Sequence, residues 1–344
     1  MSYRASLAKC AQMCPKRWRS ALASVLLATV YLLATSAVVE KKLIRPSPKL
    51  LRSIPTTSTS IHTSQQCPNL DDKFVHVVSS PSDCTLGEVF PCNVPCVWPR
   101  RRRGILQTVA IAKTNITVTL SMESEAYYPT LKLHHQTKTH WIGSTRFDSD
   151  LPMPYFSWAE YNIQAKHVRL EHLIPKASFV ARNCNSKSQR EKLVKFLADQ
   201  NLVASLSSCL HNTEAAQTRD KAQMIRPYAL HLAFENSIVD DYITEKLWGT
   251  LAAGVLPVYF GAPNVRDHVP NNSVIVVADY GSDWDALARH IKAVISDAAL
   301  YESYHAWRYK PLPRWFKEKY AFTHTHSSCR LCQRIAQLST NKYG

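Results

Sequence analysis

At 344 residues, 45% hydrophobic and 20% charged, the chain is long enough to bury a sizeable core and make about two domains, which excludes a disordered protein. Its net charge of +16 suits nucleic acid, an acidic membrane surface or an anionic small substrate, and no DNA- or RNA-binding motif selects the first. Only eight glycines occur, none in GxGxxG or a P-loop, so any nucleotide must be held by side chains and helix N-termini.

In chain order, residues 1–19 read as a cytosolic tail whose Cys10 and Cys14 are candidates for acylation. Ser20–Val39 carries no charge and is long enough to cross a bilayer as one helix, a transmembrane anchor. A cleaved signal peptide is the alternative, because Thr35-Ser36-Ala37 resembles a small-residue cleavage site. Residues 40–66, rich in Ser, Thr and Pro, read as an extended stem. The expected topology is a single-pass type II protein with its bulk in the Golgi lumen.

Folded structure is expected from Cys67, in a first α/β domain over 67–174 and a second over 175–344 that ends in a cysteine-bearing segment. Eight cysteines follow the stem, Cys67, Cys84, Cys92, Cys96, Cys184, Cys209, Cys329 and Cys332, an even number that favours disulfides in an oxidising lumen. The pairs Cys92-x₃-Cys96 and Cys329-x₂-Cys332 also have zinc-ligand spacing, which is uncommon for luminal thiolates. The Arg100–Arg103 run reads as a solvated loop, a phosphate or membrane contact, or a protease-processing site. Asn115 and Asn271 head glycosylation sequons and should be exposed.

GILQTVAIA and ITVTLSM have strand character, and the second run delivers Glu123 to a strand's C-terminal edge facing a cleft. Asp148 and Asp150 invite a metal reading, against which stands the Pro-containing turn that follows them. Tyr155, Phe156, Trp158 and Tyr161 form an aromatic cluster, either core or a platform for sugar rings. ASFVARN predicts a strand and Gln189–Leu197 a helix, with Arg190 in its first turn, a phosphate-ready position.

Tyr228–Gly261 is the most informative stretch. Tyr228, Leu230, Leu232 and Phe234 alternate with small or polar neighbours, predicting a strand with one face packed more tightly. Ile243, Leu247, Trp248, Leu251 and Ala252 fall on one helical arc, with Asp240 or Asp241 as the expected cap and Gly254 as the stop. VLPVYFG then completes a βαβ unit whose ligand edge lies beyond the strands' carboxyl ends. At that edge Lys246 offers a point charge, Glu245 two acceptor positions for a ribose diol, and Asn236 both donor and acceptor.

FENSIVDDYITEKLWGTLAAGVLPVYFGAPN resembles the donor-site signature of glycosyltransferase family 10, the α-1,3-fucosyltransferases. SMESEAYYP at 121–129, SDLPMPYFSWAEYNI at 149–163 and HSSCRLC at 326–332 agree in order, the last two looking most like plant-type enzymes that fucosylate the N-glycan core. The resemblance runs from about Thr119 to Cys332. Leu206-Ser-Ser-Cys209 departs from it, standing where the family has a Tyr-Gly-Gly-Cys-like turn.

The resemblance implies two facing Rossmann-like α/β domains (GT-B type), GDP-β-L-fucose as donor, and inverting transfer to O3 of N-acetylglucosamine on N-glycan glycoproteins. The core residue is the expected acceptor; an antennary residue, or a catalytically inactive luminal lectin, is the alternative. In the family an arginine seven residues after the strand-end asparagine, Asn183 here, contacts the donor phosphate, which matches Arg190. Direct displacement needs a base and cations at the departing diphosphate. Glu123 is the expected base, Arg190 and Lys246 the cations, and Asn236, Tyr242 and Glu245 further donor contacts. No metal is required in this assignment, and Mn²⁺ would stimulate only by screening.

Overall fold

Short β-rich runs build the first of two sheets, and their brevity decides how they pair. The computed structural model describes Leu70 and residues 73–80, 87–99, 106–132, 139–214 and 218–340, all within the compact unit Thr63–Gly344. The expected anchor and stem, Cys67, Cys84 and Arg100–Arg103 lie outside the described residues, among which no helix is long and apolar enough to cross a membrane.

The first sheet takes β1 (Val75–Val78), β2 (Glu88–Phe90), β3 (Cys96–Trp98), β4 (Gln107–Ile111), β5 (Thr117–Leu120), β6 (His140–Ser144) and β7 (Leu151–Pro152), in the order β2-β3-β1-β4-β5-β6-β7. It is mixed: β2–β3, β1–β4 and β4–β5 pair antiparallel, and β1–β3, β5–β6 and β6–β7 parallel. The Rossmann-like expectation is therefore corrected for this half. Antiparallel neighbours need only a tight turn, whereas parallel ones need a crossover, and no α-helix separates these strands among the described residues. The β4–β5 hairpin turns on Thr114, whose hydroxyl donates to Ile111 O (2.8 Å) and accepts from Ile116 N (3.0 Å). Asn115 sits exposed at its tip, and Asn271 is exposed as well.

The second sheet is wholly parallel, from β8 (Ile174–Phe179), β9 (Val203–Ser205), β10 (Tyr228–Phe234), β11 (Leu256–Phe260) and β12 (Ile275–Val276), in the order β12-β11-β10-β8-β9. Its helices are α1 (Arg190–Asp199), α2 (Lys221–Ile225), α3 (Glu245–Ala252), α4 (Trp284–Ser296) and α5 (Ala298–Ser303), followed by α6 (Arg314–Lys319) and α7 (Ser327–Thr340). This is the Rossmann-like half. All seven residues of β10 are buried, not one face alone, because the strand is central and covered on both sides. Leu230, Leu232 and Phe234 pack with Leu193 and Leu197 of α1 and Leu287 and Ile291 of α4. Ala233 faces the opposite cluster, with Leu247, Trp248 and Leu251 of α3. Burying each such large side chain contributes about 1.5–3 kcal/mol.

The aromatic cluster is largely core. Phe156 is fully buried with ring centroids 5.0 Å from Trp248, 5.4 Å from Phe316 and 4.7 Å from Tyr320. Trp158 Nε1 donates to Tyr320 O (2.9 Å). Gly254 closes α3 at φ +75°, and a Cβ there would stand 2.3 Å from Lys166 O, so both its handedness and its smallness are used.

The C-terminal segment returns to the first sheet. Leu331, Cys332 and Ile335 of α7 join Val77, Trp98, Val109 and Val118 in one core. Disulfides Cys92–Cys329 and Cys96–Cys332 tie α7 to β3 and the turn before it, which replaces the zinc-spacing reading of those four cysteines. Cys184–Cys209 staples the loop after β8 to that after β9.

Four histidines are held toward the neutral form, His231, His268, His290 and His305, with burial the first cause in each. The unfolded chain protonates them near 6.5, whereas His305, also facing the Arg308 charge, is depressed to about 2. Their contribution to stability is complete above about pH 6.5 and is lost as pH falls through that value. His305 alone loses about 1.4 kcal/mol per pH unit in this window. Thermal unfolding of the full chain should therefore show a melting temperature several degrees lower near pH 5 than near pH 7; a flat profile would contradict the assignment.

Candidate active site

The carboxyl ends of β5 and β10 meet here, and the residues between them and the following elements make the contacts. Past β5, the Ser121 hydroxyl accepts from Glu123 N (3.1 Å) and the Ser124 hydroxyl from Ala126 N (3.1 Å), two side-chain turns that fold the acidic block back on itself. The block then docks on the second sheet. Tyr127 Oη donates to Asn236 O (3.4 Å) and accepts from Lys187 N (3.1 Å), while Lys187 Nζ donates to Ala126 O (2.5 Å).

Glu123, half-buried, accepts a hydrogen bond on Oε2 from Tyr242 Oη at 3.0 Å. Tyr242 is 1% exposed, and its hydroxyl is held well above the usual phenol range by burial, then by the charges of Glu235 and Glu123. It therefore stays protonated and serves Glu123 as a donor. Both carboxylate and tyrosine were expected at the site, and the structure joins them directly. Glu123 lines a cavity of about 440 Å³ together with Trp98, Gln107, Ser121, Met122 and Tyr155.

On the other side, Glu235 organises the start of α3. It is fully buried, with Oε1 accepting from Thr244 N (2.7 Å) and Oε2 from the Thr244 hydroxyl (2.8 Å). Lys246 Nζ stands 3.3 Å from Glu235 Oε2 and donates to Thr244 Oγ1 (2.8 Å) and Glu245 Oε1 (3.2 Å). Burial raises the Glu235 carboxyl and the nearby Lys246 charge lowers it, with a net rise. For Lys246 burial lowers the ammonium, but Glu235 and Glu245 outweigh it and the net shift is upward. Glu245 is exposed; burial of its carboxyl is overcome by the Lys246 charge, so it lies below its usual range.

Sequence reasoning passed over Glu235, which stands inside the quoted FEN triplet, because a strand-end carboxylate has no local sign of complete burial. The cap was also misplaced. Thr244, not Asp240 or Asp241, is the N-cap of α3. Asp241, at φ 62°, instead accepts from Phe147 N (2.9 Å), Asn264 Nδ2 (2.8 Å) and His268 Nε2 (2.9 Å), tying the two halves together.

Arg190 begins α1 as expected, but it is not presented at the surface. It is 4% exposed and donates to Phe234 O (2.5 Å) and Asn183 O (3.4 Å), bracing the edge from behind. Burial lowers its guanidinium against the opposing charge of Glu235. Asn236 is half-buried beside it, its carbonyl accepting from Ser188 N (3.0 Å). A third cation reaches this edge without any signal in the sequence: Lys221, opening α2, is lowered by burial and senses the charges of Glu245 and Lys246.

Both aspartates of the pair have partners within the protein. Asp148 takes a two-pronged bond from Arg146 (2.8 and 2.9 Å), and Asp150 Oδ2 is buried against Ile142 N (2.9 Å).

Comparison with known proteins bears on what this edge belongs to. Residues 173–343 match the family model described as glycosyltransferase family 10 (fucosyltransferase) C-term. A fucosyltransferase-like protein of Arabidopsis thaliana is 32% identical over 225 residues, 64% of this chain and 43% of that one. GDP-fucose protein O-fucosyltransferase 3 of Homo sapiens is 37% identical over 158 residues, 43% of this chain and 33% of its own. The chain thus spans less than half the length of these curated relatives. A crystal structure of an α1,3-fucosyltransferase with GDP-fucose is similar at 24% identity over 48% of each chain with a TM-score of 0.36, too low to argue from. Through its C-terminal half, the chain belongs to glycosyltransferase family 10, the fucosyltransferases.

Proposed function

We propose that the protein transfers L-fucose from GDP-β-L-fucose, with inversion, to O3 of an N-acetylglucosamine in an N-glycan, the Asn-linked core residue. The observation that carries this reading is Glu123, held by Tyr242 at 3.0 Å in the wall of a cavity, beside the cationic edge of α3. Family membership supplies the donor class. Glu123 removes the proton from the acceptor hydroxyl as that oxygen attacks the anomeric carbon, and the bond to GDP breaks on the opposite face. The transition state is oxocarbenium-like, so the carboxylate also stabilises charge on the ring. Lys246, at the positive end of the α3 dipole, neutralises the departing diphosphate. Glu235 and Arg190 hold that edge in place, while Asn236 and Glu245 face the donor.

A metal is dispensable in this proposal, since the protein brings its own cations to the diphosphate. A luminal, Golgi-membrane setting is proposed with it, on the support of three disulfides among the described residues and two exposed sequons. The second reading is transfer to a hydroxyl of a folded protein, favoured by the relatives named as protein O-fucosyltransferases.

The deciding experiment incubates the full chain with GDP-fucose and three acceptors, a core N-glycopeptide, an antennary glycan and a folded protein without glycan, with and without excess chelator. Added fucose on the innermost sugar, persisting in chelator, is the expected result. Fucose on the antenna or the protein replaces the acceptor assignment, total metal-reversible loss overturns the metal-free mechanism, and no transfer to any acceptor leaves the glycan-binding homologue.

A further inference from the structure

The second sheet ends at β12, and a cavity of about 190 Å³ runs along that edge, lined by none of the residues of the candidate active site. Most of its wall is polar. Arg266 and Asp279, both exposed, form an ion pair within it, and the planar guanidinium has more N–H donors than one carboxylate oxygen uses. Tyr280 and Tyr304, both half-buried, add ring surface, and His290 of α4 holds the two: its Nε2 lies 2.8 Å from Tyr304 Oη and its ring centroid 5.9 Å from that of Tyr280. Ring faces beside fixed hydrogen-bonding groups suit a pyranose, which presents C–H on its faces and hydroxyls around its rim.

At about 190 Å³ the space is below the roughly 300 Å³ at which sites for free small ligands begin. One sugar ring binds here appreciably only on a tether, which raises its local concentration far above that of a free ligand. The tether is in the wall: Asn271, the exposed asparagine of the second sequon, lines the cavity. The sequon's hydroxyl, on Ser273, is 1% exposed and donates to Pro270 O (2.6 Å). In the folded chain it is out of an enzyme's reach, so a sugar must be attached before this turn closes, and the cavity then forms beside it.

We propose that Asn271 carries an N-linked glycan whose first N-acetylglucosamine lies in the Arg266–Tyr304 cavity, as a covalently bound part of the fold. The bond formed joins Asn271 Nδ2 to the anomeric carbon of a sugar delivered on a lipid diphosphate; the diphosphate leaves with the electrons of the broken anomeric bond, and the amide gives up one proton. Seated there, the sugar covers the outer side of β12, beyond which no strand follows among the described residues, and closes an edge open to pairing with another chain. This rests on the luminal setting proposed above and on no step of fucosyl transfer.

Asn115 supplies the comparison, because it stands exposed at a hairpin tip and lines neither this cavity nor the one around Glu123. The full chain is made in a secretory host that supplies no GDP-fucose, treated while folded with a peptide:N-glycosidase, and followed site by site by mass spectrometry. Release from Asn271 should be at least about tenfold slower than from Asn115, and unfolding the protein first should abolish the difference. Arg266→Ala, at an exposed residue away from the core, should bring the ratio toward one, and Tyr304→Ala should do the same. Equal release from the folded protein, slow release at Asn271 that persists in Arg266→Ala, or a bare Asn271 beside a glycosylated Asn115 overturns the docked sugar. If both asparagines are bare, the luminal setting falls with it. Fucosyl transfer is decided by its own assay, whichever of these is found.

Discussion

Glu123→Gln should lower kcat by about 10²–10⁴, the usual contribution of a positioned general base, while GDP affinity stays nearly unchanged. Glutamine keeps the shape, and its carbonyl can still accept the Tyr242 hydroxyl that now donates to Glu123 at 3.0 Å. What it cannot do is take a proton. The donor edge is built around Glu235, Thr244 and Lys246, none of which bonds to Glu123, so binding of the nucleotide has no reason to change. Glu125 is the internal control. It is half-buried, with one carboxylate oxygen lacking a hydrogen-bond partner among the described residues, and its charge acts on Arg146, away from the cavity. Glu125→Gln should stay within about threefold of the parent. Near-native turnover in Glu123→Gln together with loss in Glu125→Gln would move the base by two residues, and indifference to both would end the single-displacement mechanism from this block.

Lys246→Ala should weaken GDP binding at least about tenfold and also lower stability, because two effects are removed at once. The point charge at the diphosphate disappears, and Glu235 is left fully buried without its cation. Burial already lifts the Glu235 carboxyl, and the Lys246 charge is the largest influence opposing that rise. Without it the carboxyl shifts further upward. A raised carboxyl contributes stability that is present at low pH and lost as pH rises, so the variant's deficit should grow from about pH 5 to pH 8. The double variant Glu235→Gln with Lys246→Ala separates the two roles: melting temperature should recover, and GDP affinity should not. Recovery of both would make Lys246 a structural counter-ion only.

The second sheet and the edge it presents were readable because their signals are local. A buried apolar strand, a helical arc from Ile243 to Leu251 and Gly254 lie within a few dozen residues, and the structure follows them closely. The cap failed for the opposite reason. Asp241 and Thr244 are both good capping residues, and what removes Asp241 is a pair of partners, Asn264 and His268, that arrive from beyond β11. Arg190 was legible as a position but not as a depth, and Glu235 was passed over altogether, since burial comes from elements stacked on them. The first sheet was hardest. Its strands run from two to five residues, too short for periodicity to establish, and two of its pairings, β2–β3 and β4–β5, depend on turns whose composition is ordinary. The route of α7 back to β3 was invisible, because spacing alone does not choose among disulfide partners.

The two bonds that hold α7 have unequal consequences. Cys92–Cys329 spans 237 residues, and closing so long a loop disfavours the unfolded chain by roughly 5 kcal/mol in a chain-entropy account. Cys96–Cys332 spans 236 and interleaves with the first, so once that ring is closed the second bond encloses only the few residues between neighbouring cysteines and adds far less of the same effect. Its effect is rotational. A helix pinned at one point can roll about its own axis; pinned again one turn further along the same face, it cannot. The second bond thus fixes the azimuth of α7, and with it the direction in which Arg330, carried between the two anchors, must point.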